Sequence, residues 1–227
     1  MKEESKVGII LQARMGSSRL PGKVLLPFGE TTLLGWIVNR LNKLPWKLVV
    51  ATTILNQDKV IVDYCKQSKV YSYIGSEKDV LDRYYKCATE HAFDHVVRLT
   101  ADNPFTDIQE LTNLVRFHID EGNDYSHNFT KLPIGVGAEI FTMNTLAYSW
   151  KHGQELHHKE HVNEYILEQP GCFKIGHLQP LARRQLPELA LTIDTQADYQ
   201  RISAFVARIK HTPITTEELI RKCTSSV

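Results

Sequence analysis

The hydrophobic positions of the chain follow two spacings that alternate along its length. Short apolar runs rich in β-branched residues predict buried strands, and segments with apolar positions three or four residues apart predict helices. Strands are predicted at 7–11, 48–51, 70–74, 95–99, 125–128 and 190–193. Helices are predicted at 33–44, 56–67, 79–92, 108–119 and 162–167, with a last helix that ends near residue 208.

Strands that alternate with helices predict right-handed crossovers and a mainly parallel sheet with helices on both faces. The expected fold class is therefore an α/β three-layer sandwich. The chain has 227 residues, 42% of them hydrophobic and 23% charged, which is enough for a substantial core. It contains no internal repeat or Pro/Gly/Ser-rich linker, so we expect one domain over 1–227, with its core at about 7–208 and a helical tail at 209–227.

The overall charge of the chain does not indicate a polyanionic macromolecular partner. The formal net charge is +1, so neither nucleic acid nor a membrane surface is expected to bind. The first six residues lack the apolar core of a signal peptide, and no stretch approaches eighteen uninterrupted apolar residues. The 4 cysteines have neither metal-binding nor disulfide spacing. We therefore expect a cytoplasmic protein with reduced thiols.

The segment between Leu11 and Phe28 concentrates the candidate chemistry. It contains three cations, Arg14, Arg19 and Lys23, and no acidic residue. Because it follows the first predicted strand, it is expected at the carboxyl edge of the sheet, where ligands bind in open α/β folds. A cationic loop at this edge predicts that the protein binds a polyanion.

Small residues in the same loop strengthen this prediction. Gly16 and Gly22 allow the backbone to approach a ligand closely, and Ser17 and Ser18 add hydroxyl groups. Successive backbone amides can then enclose phosphate groups, so a nucleoside triphosphate is the expected ligand. The loop is not a Walker motif, because Lys23 is not followed by Ser or Thr. The alternative interpretation is an ordinary basic surface turn.

Two further aspartates, Asp102 and Asp194, each follow a predicted buried strand. Carboxylate oxygens at such turns are ligands that suit Mg²⁺. The alternatives are that Asp102 only starts a turn and that Asp194 or Thr195 only caps the following helix, together with Asp198. For Asp107, which precedes the helix predicted next along the chain, helix capping is the expected role.

Residues 12–23 resemble the signature loop of the synthetases that make CMP-activated acidic sugars, the acylneuraminate and 3-deoxy-manno-octulosonate cytidylyltransferases. The resemblance is strongest to the branch named after spore coat polysaccharide biosynthesis protein F, and it runs from about residue 7 to 208. It implies a nucleotide-diphospho-sugar transferase fold of the glycosyltransferase-A type. It also implies a homodimeric enzyme that uses Mg²⁺ to join CMP from CTP to a keto-deoxy or nonulosonate sugar, with release of pyrophosphate.

The resemblance also implies roles for individual residues. The phosphates of CTP would contact Arg14, Arg19 and Lys23, and Mg²⁺ would bind Asp102 and Asp194. The catalytic residues implied are Arg14, Lys23, Asp102 and Asp194. The nucleotide-binding residues implied are Gln12, Ala13, Arg14, Gly16, Ser17, Ser18, Arg19, Lys23, Thr52, Ser76, Asp79, Arg83 and Asp102.

Three residues are candidates for binding the acceptor: Asn128, Glu139 and His161. Glu139 matches an acidic residue of the resembled branch. Ile134 and Gly137, however, stand where that branch usually carries two further acidic residues. We therefore expect the acceptor pocket to be either altered or less polar than is usual in the branch.

Residues 157–161 read His-His-Lys-Glu-His, which matches the zinc-binding pattern H-x-x-E-H. Zinc needs a third ligand, and the sequence offers none at a suitable spacing. Glu160 and His161 are instead expected near the acceptor site or a subunit contact. Arg183 and Arg184 offer cations for an acceptor carboxylate, although a solvated turn between two prolines is the expected explanation of this pair.

Two other functions fit the same motifs. A related nucleotidyltransferase would act on a sugar 1-phosphate or another phosphorylated or phosphonate acceptor. A binding module would keep the nucleotide-binding fold without turnover, although the intact cations and aspartates favour an enzyme. Acceptor screening and pyrophosphate release would separate these functions from the synthetase.

Overall fold

The computed structural model describes residues 5–169, 171–209 and 214–224. The strands are β1 (Val7–Gln12), β2 (Pro27–Phe28), β3 (Thr31–Thr32), β4 (Lys47–Thr53), β5 (Tyr71–Gly75), β6 (His95–Thr100), β7 (Tyr125–His127), β8 (Glu139–Thr142) and β9 (Ile175–His177). The helices are α1 (Leu33–Leu41), α2 (Lys59–Gln67), α3 (Val80–Glu90), α4 (Ile108–Asp120), α5 (Met143–His152), α6 (Leu156–Glu160), α7 (Glu164–Leu167), α8 (Gln196–Val206) and α9 (Thr216–Thr224).

Seven strands form one sheet in the order β5-β4-β1-β6-β8-β7-β9, and β2 and β3 form a separate hairpin. All pairs in the large sheet are parallel except those made by β8, which is antiparallel to β6 and β7. Neighbouring residues of β1 pack on opposite faces: Ile9 and Leu11 join one hydrophobic cluster, and Ile10 joins the other. Residues of α1 and α4 complete the first cluster and residues of α3 and α5 complete the second, which confirms the three-layer α/β fold.

Capping side chains mark where several helices begin. The side chain of Thr32 accepts a hydrogen bond at the start of α1, Asp79 does so for α3, and Thr195 does so for α8. Asp107 accepts from the Gln109 and Glu110 amides at the start of α4, so its predicted capping role is confirmed. Each cap satisfies amide groups that the first helical turn leaves without a partner.

The predicted secondary structure is wrong in two segments. None of the predicted strands covers residues 139–142, which form β8, and its Glu139 and Phe141 pair with residues of both neighbouring strands. Residues 190–193 were expected to form a strand, yet only Ala190 makes a bridge, with Ile134. This buried run is bonded to loops instead, because the Ile193 amide donates to the Asp102 carbonyl at 2.9 Å.

The helix boundaries differ from the predicted ones by a few residues. The first helix ends at Leu41, and residues 56–58 form a 3-10 turn before α2. The predicted helical tail contains α9, while 210–213 and 225–227 lie outside the described residues. The division into a single domain stays a prediction. Among the described residues, no helix combines the length and hydrophobicity that crossing a membrane would require.

The loop that follows β1 is tied to the neighbouring strand by one buried carboxylate. Asp58 is fully buried, its Oδ1 accepts from the Met15 amide at 2.7 Å, and its Oδ2 accepts from the Thr53 hydroxyl. The Met15 carbonyl accepts from the amides of Ser17 and Gly22, each at 2.9 Å. Asp58 therefore fixes Met15, and Met15 in turn fixes the curvature of the loop.

We predict that Asp58→Ala lowers the free energy of unfolding by about 1–3 kcal/mol, because it leaves a buried amide without an acceptor. Asp58→Asn is the matched control, since its amide oxygen can still accept from Met15, and its loss should be smaller. Urea unfolding measures both variants, and hydrogen exchange at the Met15 amide should quicken in Asp58→Ala alone. Equal exchange in the two variants would contradict this account of the loop.

A buried histidine joins α4 to the sheet. His118 is fully buried, with Nδ1 at 3.0 Å from the Ser126 hydroxyl and Nε2 at 3.2 Å from Nδ1 of His95. Burial, and secondarily the neighbouring His95, lower the pKa of His118 to about 3. The unfolded chain therefore takes up this proton near pH 6.5, long before the folded chain does.

We predict that stability falls as the pH falls from 7.5 to 5.0, since the unfolded state binds more protons in that window. A single histidine whose pKa is lowered this far contributes about 2 kcal/mol of that loss of stability. His118→Gln should remove this share of the pH dependence, whatever its effect on stability at pH 7.5. Urea unfolding at both pH values measures it, with the exposed His152→Gln as a control that should keep the wild-type slope.

Candidate active site

A cavity of about 400 Å³ opens where β1 and β6 end. Gln12 closes β1, and its carbonyl accepts from the Ala101 amide at 2.9 Å, so the two strand ends are held side by side. The cavity therefore lies at the carboxyl edge of the parallel part of the sheet, as open α/β folds predict. It is lined by Gln12, Ala13, Arg14, Ser17, Ser18, Arg19, Lys23, Val24, Thr100, Ala101, Asp102, His161 and Asp194.

Lys23 lies between the two predicted aspartates. Its Nζ is 3.0 Å from Asp102 Oδ2 and 3.1 Å from Asp194 Oδ1, and it donates to the Ile193 carbonyl at 2.8 Å. Thr100 donates its hydroxyl to the other oxygen of Asp102 at 2.5 Å. Two carboxylates that are distant in sequence thus converge on one ammonium group.

The surroundings of Asp194 separate its role from that of its neighbours. Thr195 caps α8, and the Asp198 carboxylate accepts from the amides of Asp194 and Thr195 at 3.2 and 2.9 Å. Helix capping therefore explains Thr195 and Asp198. It does not occupy the Asp194 carboxylate, which faces Lys23 and the Arg19 guanidinium, the latter at 3.1 Å.

The charged side chains that line the cavity are suited to a magnesium triphosphate. Lys23 is buried, whereas Arg14 and Arg19 are exposed, so their charges are accessible to a polyanion. Asp102 and Asp194 offer hard oxygen ligands, are partly exposed, and already converge on a cation. This donor set fits Mg²⁺, and these two residues would hold it.

Several residues predicted to bind the nucleotide lie outside the lining of this cavity. Thr52 is fully buried within β4, and Gly16 lies on the exposed side of its loop. The Asp79 carboxylate accepts from the Asp82 amide at 2.8 Å, and its own amide donates to Ser76 at 3.0 Å. Their contribution to nucleotide binding stays a prediction.

Arg83 is likewise occupied by the protein itself. Its side chain is almost fully buried and donates to the carbonyl of Ser76. Burial is the main cause that lowers its pKa. The contact ties α3 to the turn after β5, a structural role that the sequence pattern did not predict.

A second cavity, of about 340 Å³, adjoins the first and shares Thr100 with it. It is lined by Arg98, Leu99, Thr100, Asn103, Phe129, Ile134, Gly135, Gly137, Ala138, Glu139 and Asn163. Of the three predicted acceptor-binding residues, only Glu139 belongs to it. His161 lines the first cavity instead.

Asn128 is the third predicted acceptor residue, and the structure places it in the protein interior. Its amide nitrogen donates to the Glu110 carbonyl at 3.2 Å, and its oxygen accepts from the Ala138 amide at 2.8 Å. The side chain is 1% exposed. The expected acceptor contact is therefore wrong, because both ends of this amide hold the loop beside β8.

The expectation that Arg183 and Arg184 form a solvated turn is wrong for Arg184. Arg184 is buried, with Nη1 at 2.6 Å from Glu110 and Nε at 2.8 Å from Glu217 of α9. Arg183 is exposed and pairs with the same Glu217 at 2.7 Å. These partners come from distant parts of the chain, and they exclude the pair as free cations for an acceptor.

His157 and His161, the two histidines of the H-x-x-E-H pattern, have different surroundings. Nε2 of His157 lies 2.7 Å, and Nε2 of His158 2.8 Å, from the two carboxylate oxygens of Glu168, while His161 faces the first cavity. The three groups are close enough to hold a metal ion. However, Nδ1 of His158 accepts from the Glu155 amide. This leaves the ring proton on Nε2, where a metal would have to bind.

Sequence patterns missed three residues that the site depends on. Asp58 supports the first loop, Thr100 binds Asp102, and Arg98 lies in the second cavity. Arg98 did carry a signal, since a charged residue inside a buried strand needs a partner. Its partner Glu139 comes from β8, the strand that was not predicted.

Comparison with known proteins agrees with this geometry. The family model described as cytidylyltransferase matches residues 8–220. The spore coat polysaccharide biosynthesis protein SpsF of Bacillus subtilis is 35% identical over 219 residues, which cover 93% of this chain and 91% of that protein.

Solved structures give the same result. A cytidylyltransferase from Leptospira borgpetersenii superposes with a TM-score of 0.93 at 32% identity, covering 98% of this chain and 95% of that one. CMP:2-keto-3-deoxy-manno-octonic acid synthetase, solved with CTP, shares the fold with a TM-score of 0.70 at 16% identity, covering 90% and 99%. The chain therefore belongs to the cytidylyltransferase family, in the branch of the CMP-sugar synthetases that resembles SpsF, and it is a nucleotidyltransferase.

Proposed function

We propose that the protein transfers CMP from CTP to a hydroxyl group of an acidic sugar of the keto-deoxy or nonulosonate type, with release of pyrophosphate. The observation that carries this proposal is the convergence of Asp102 and Asp194 beside a loop with three cations. Membership in the cytidylyltransferase family supports CTP as the donor. The product would serve the synthesis of a surface polysaccharide or glycoconjugate, as the name of the Bacillus subtilis relative suggests.

The cationic loop would bind the triphosphate. Arg14 and Arg19 are exposed on the rim of the cavity, where they can neutralise phosphate oxygens. The hydroxyl groups of Ser17 and Ser18 face the same space. Because Asp58 and Met15 hold the loop in its curved form, little ordering remains to be done when CTP binds.

The aspartates would hold Mg²⁺. Bound there, the ion would neutralise negative charge that grows on phosphate oxygens during nucleotidyl transfer. Lys23, which pairs with both carboxylates, keeps them together and adds a positive charge beside the phosphates. In-line displacement at phosphorus needs no covalent protein intermediate, so no side chain is proposed as a nucleophile.

A homodimer and a cytoplasmic location complete the proposal. The first rests on the resemblance to homodimeric enzymes, and the second on the composition of the sequence. Sedimentation of the purified protein tests the dimer.

We predict pyrophosphate release with Mg²⁺ and CTP in the presence of a sugar acid. The assay offers each of the four common nucleoside triphosphates with 2-keto sugar acids, sugar 1-phosphates and simple phosphonates. Release with CTP and a keto acid is the expected result. Release only with a phosphorylated or phosphonate acceptor would replace the proposed acceptor class and keep nucleotidyl transfer. Tight binding of CTP without pyrophosphate release from any mixture would reject the proposed reaction.

We predict that Asp102→Asn lowers turnover by at least tenfold and raises the Mg²⁺ concentration needed for half-maximal rate, because one of two anionic metal ligands becomes neutral. The amide keeps the size of the side chain, so folding should be little affected. Asp120→Asn, at the exposed end of α4, is the matched control with unchanged kinetics. A loss below tenfold with an unchanged Mg²⁺ requirement would remove Asp102 from the metal site.

A further inference from the structure

The second cavity lies where an acceptor for the proposed reaction would have to bind, so the inference that follows rests on the proposed function. Thr100 lines both cavities and donates to Asp102. Arg98 lies two residues earlier on β6 and lines only the second cavity. Alternate residues of a strand share one face, so Arg98 and Thr100 are directed to the same side of the sheet.

Arg98 is held by a partner on the adjacent strand. It stands directly opposite Glu139 in the antiparallel pairing of β6 with β8, and its Nη1 donates to Oε1 of Glu139. The second carboxylate oxygen of Glu139 accepts from the Tyr125 hydroxyl at 2.6 Å. Both oxygens of Glu139 are therefore already occupied by protein donors.

The charge of Arg98 is secured by this arrangement. Burial alone would lower the pKa of the guanidinium, but the attraction of Glu139 more than offsets it, and the pKa of Arg98 lies above its ordinary value. Arg98 thus remains a cation inside a cavity that is otherwise formed largely by Leu99, Phe129, Ile134, Ala138 and glycine backbone.

The guanidinium of Arg98 is not saturated by the protein. Its Nε is buried and has no hydrogen-bond partner among the described residues, although a guanidinium has five N–H groups to donate. Buried donors are almost always paired in native structures, so an unpaired one calls for a missing partner. A bound molecule would contact the part of the side chain that stays accessible, 18% of its surface.

The other arginines proposed for this task are not available. Arg184 is buried against Glu110 and Glu217, and Arg183 pairs with Glu217, and neither arginine lines the second cavity. Within the described lining of the second cavity, Arg98 is the one cation and Glu139 the one anion. A carboxylate, with a single negative charge and two oxygens that match the guanidinium fork, suits this pair better than a phosphate dianion, which Glu139 would repel more strongly.

We propose that Arg98 recognises a carboxylate of the acceptor and that Glu139 is a positioning residue, which orients the guanidinium without contacting the acceptor itself. Asn103 and Asn163 line the same cavity and offer amide groups for sugar hydroxyls. Glu139, the acidic residue retained from the family pattern, then affects acceptor binding only through Arg98.

The test compares sugar acids with their neutral carboxamides, using N-acetylneuraminate, 3-deoxy-manno-octulosonate and glucuronate as the acids. Binding to the protein saturated with CTP, without added Mg²⁺, is measured by equilibrium dialysis, and the KM for each acceptor by pyrophosphate release. We expect the wild type to prefer at least one acid to its carboxamide. Arg98→Gln should weaken binding of that acid by about ten- to a hundredfold, the loss expected for a hydrogen bond between charged groups, and leave CTP affinity within about twofold.

Two further variants, Glu139→Gln and the double variant Arg98→Gln/Glu139→Gln, distinguish a loss of acceptor recognition from a loss of protein stability. Glu139→Gln keeps Arg98 and should keep the preference for the acid. The double variant carries no unpaired buried charge, and it should still lose that preference. Thermal unfolding identifies variants that fail to fold, and Arg98→Lys should restore part of the acid binding through its charge.

Four results separate this inference from the proposed function. Absence of any acid preference in the wild type, or an acid preference that survives in Arg98→Gln, would overturn the role of Arg98. Turnover with neutral or phosphorylated acceptors alone would also overturn it, while leaving nucleotidyl transfer intact. Acid binding that depends on Arg98 without pyrophosphate release would support the inference and reject the proposed reaction.

Discussion

The site depends on one ammonium group that joins three distant segments of the chain. Lys23 lies 79 residues from Asp102 and 171 from Asp194, yet its Nζ contacts both carboxylates and the Ile193 carbonyl. Two carboxylates held this close would repel each other in a partly buried site, and the cation between them removes that penalty. Lys23 thereby keeps both carboxylates beside the cavity, the arrangement that the proposed Mg²⁺ would need.

The fold brings these segments to Lys23 in two different ways. Asp102 follows β6, and β6 is parallel to β1, so its position is a direct consequence of sheet topology. Asp194 follows a segment that is bonded to loops, through the Ile134 and Asp102 carbonyls. Gly135 makes this possible, since its φ is +89° and a side chain there would lie 3.0 Å from the Thr192 amide nitrogen. One aspartate is therefore placed by regular structure and the other by a close contact between loops.

This difference also decides what the sequence could predict. The strands of the parallel half, the cationic loop and Asp102 were predictable, because each depends on a local pattern at the end of a buried strand. The Asp194 segment is equally apolar, so its pattern predicted a strand although its partners are loops. Asp58 and Arg184 were beyond local patterns, because their partners lie elsewhere in the chain: Met15 and Thr53 for Asp58, and Glu110 and Glu217 for Arg184. Arg98 carried a signal as a charge inside a buried strand, but its partner Glu139 could not be predicted. The altered positions Ile134 and Gly137 both line the second cavity.

The two cavities differ in charge in a way that matches two different reactants. The first has three cations against two carboxylates, and the cations at its rim are exposed, as binding of a triphosphate with its metal requires. The second has one cation that is already balanced by Glu139, so it holds no excess positive charge with which to bind a second polyanion. Thr100 belongs to both and bonds to Asp102, so an acceptor held at Arg98 would extend along β6 toward the aspartates. Under the proposed function, this difference in charge would direct the triphosphate to the first cavity and a weakly charged acceptor to the second.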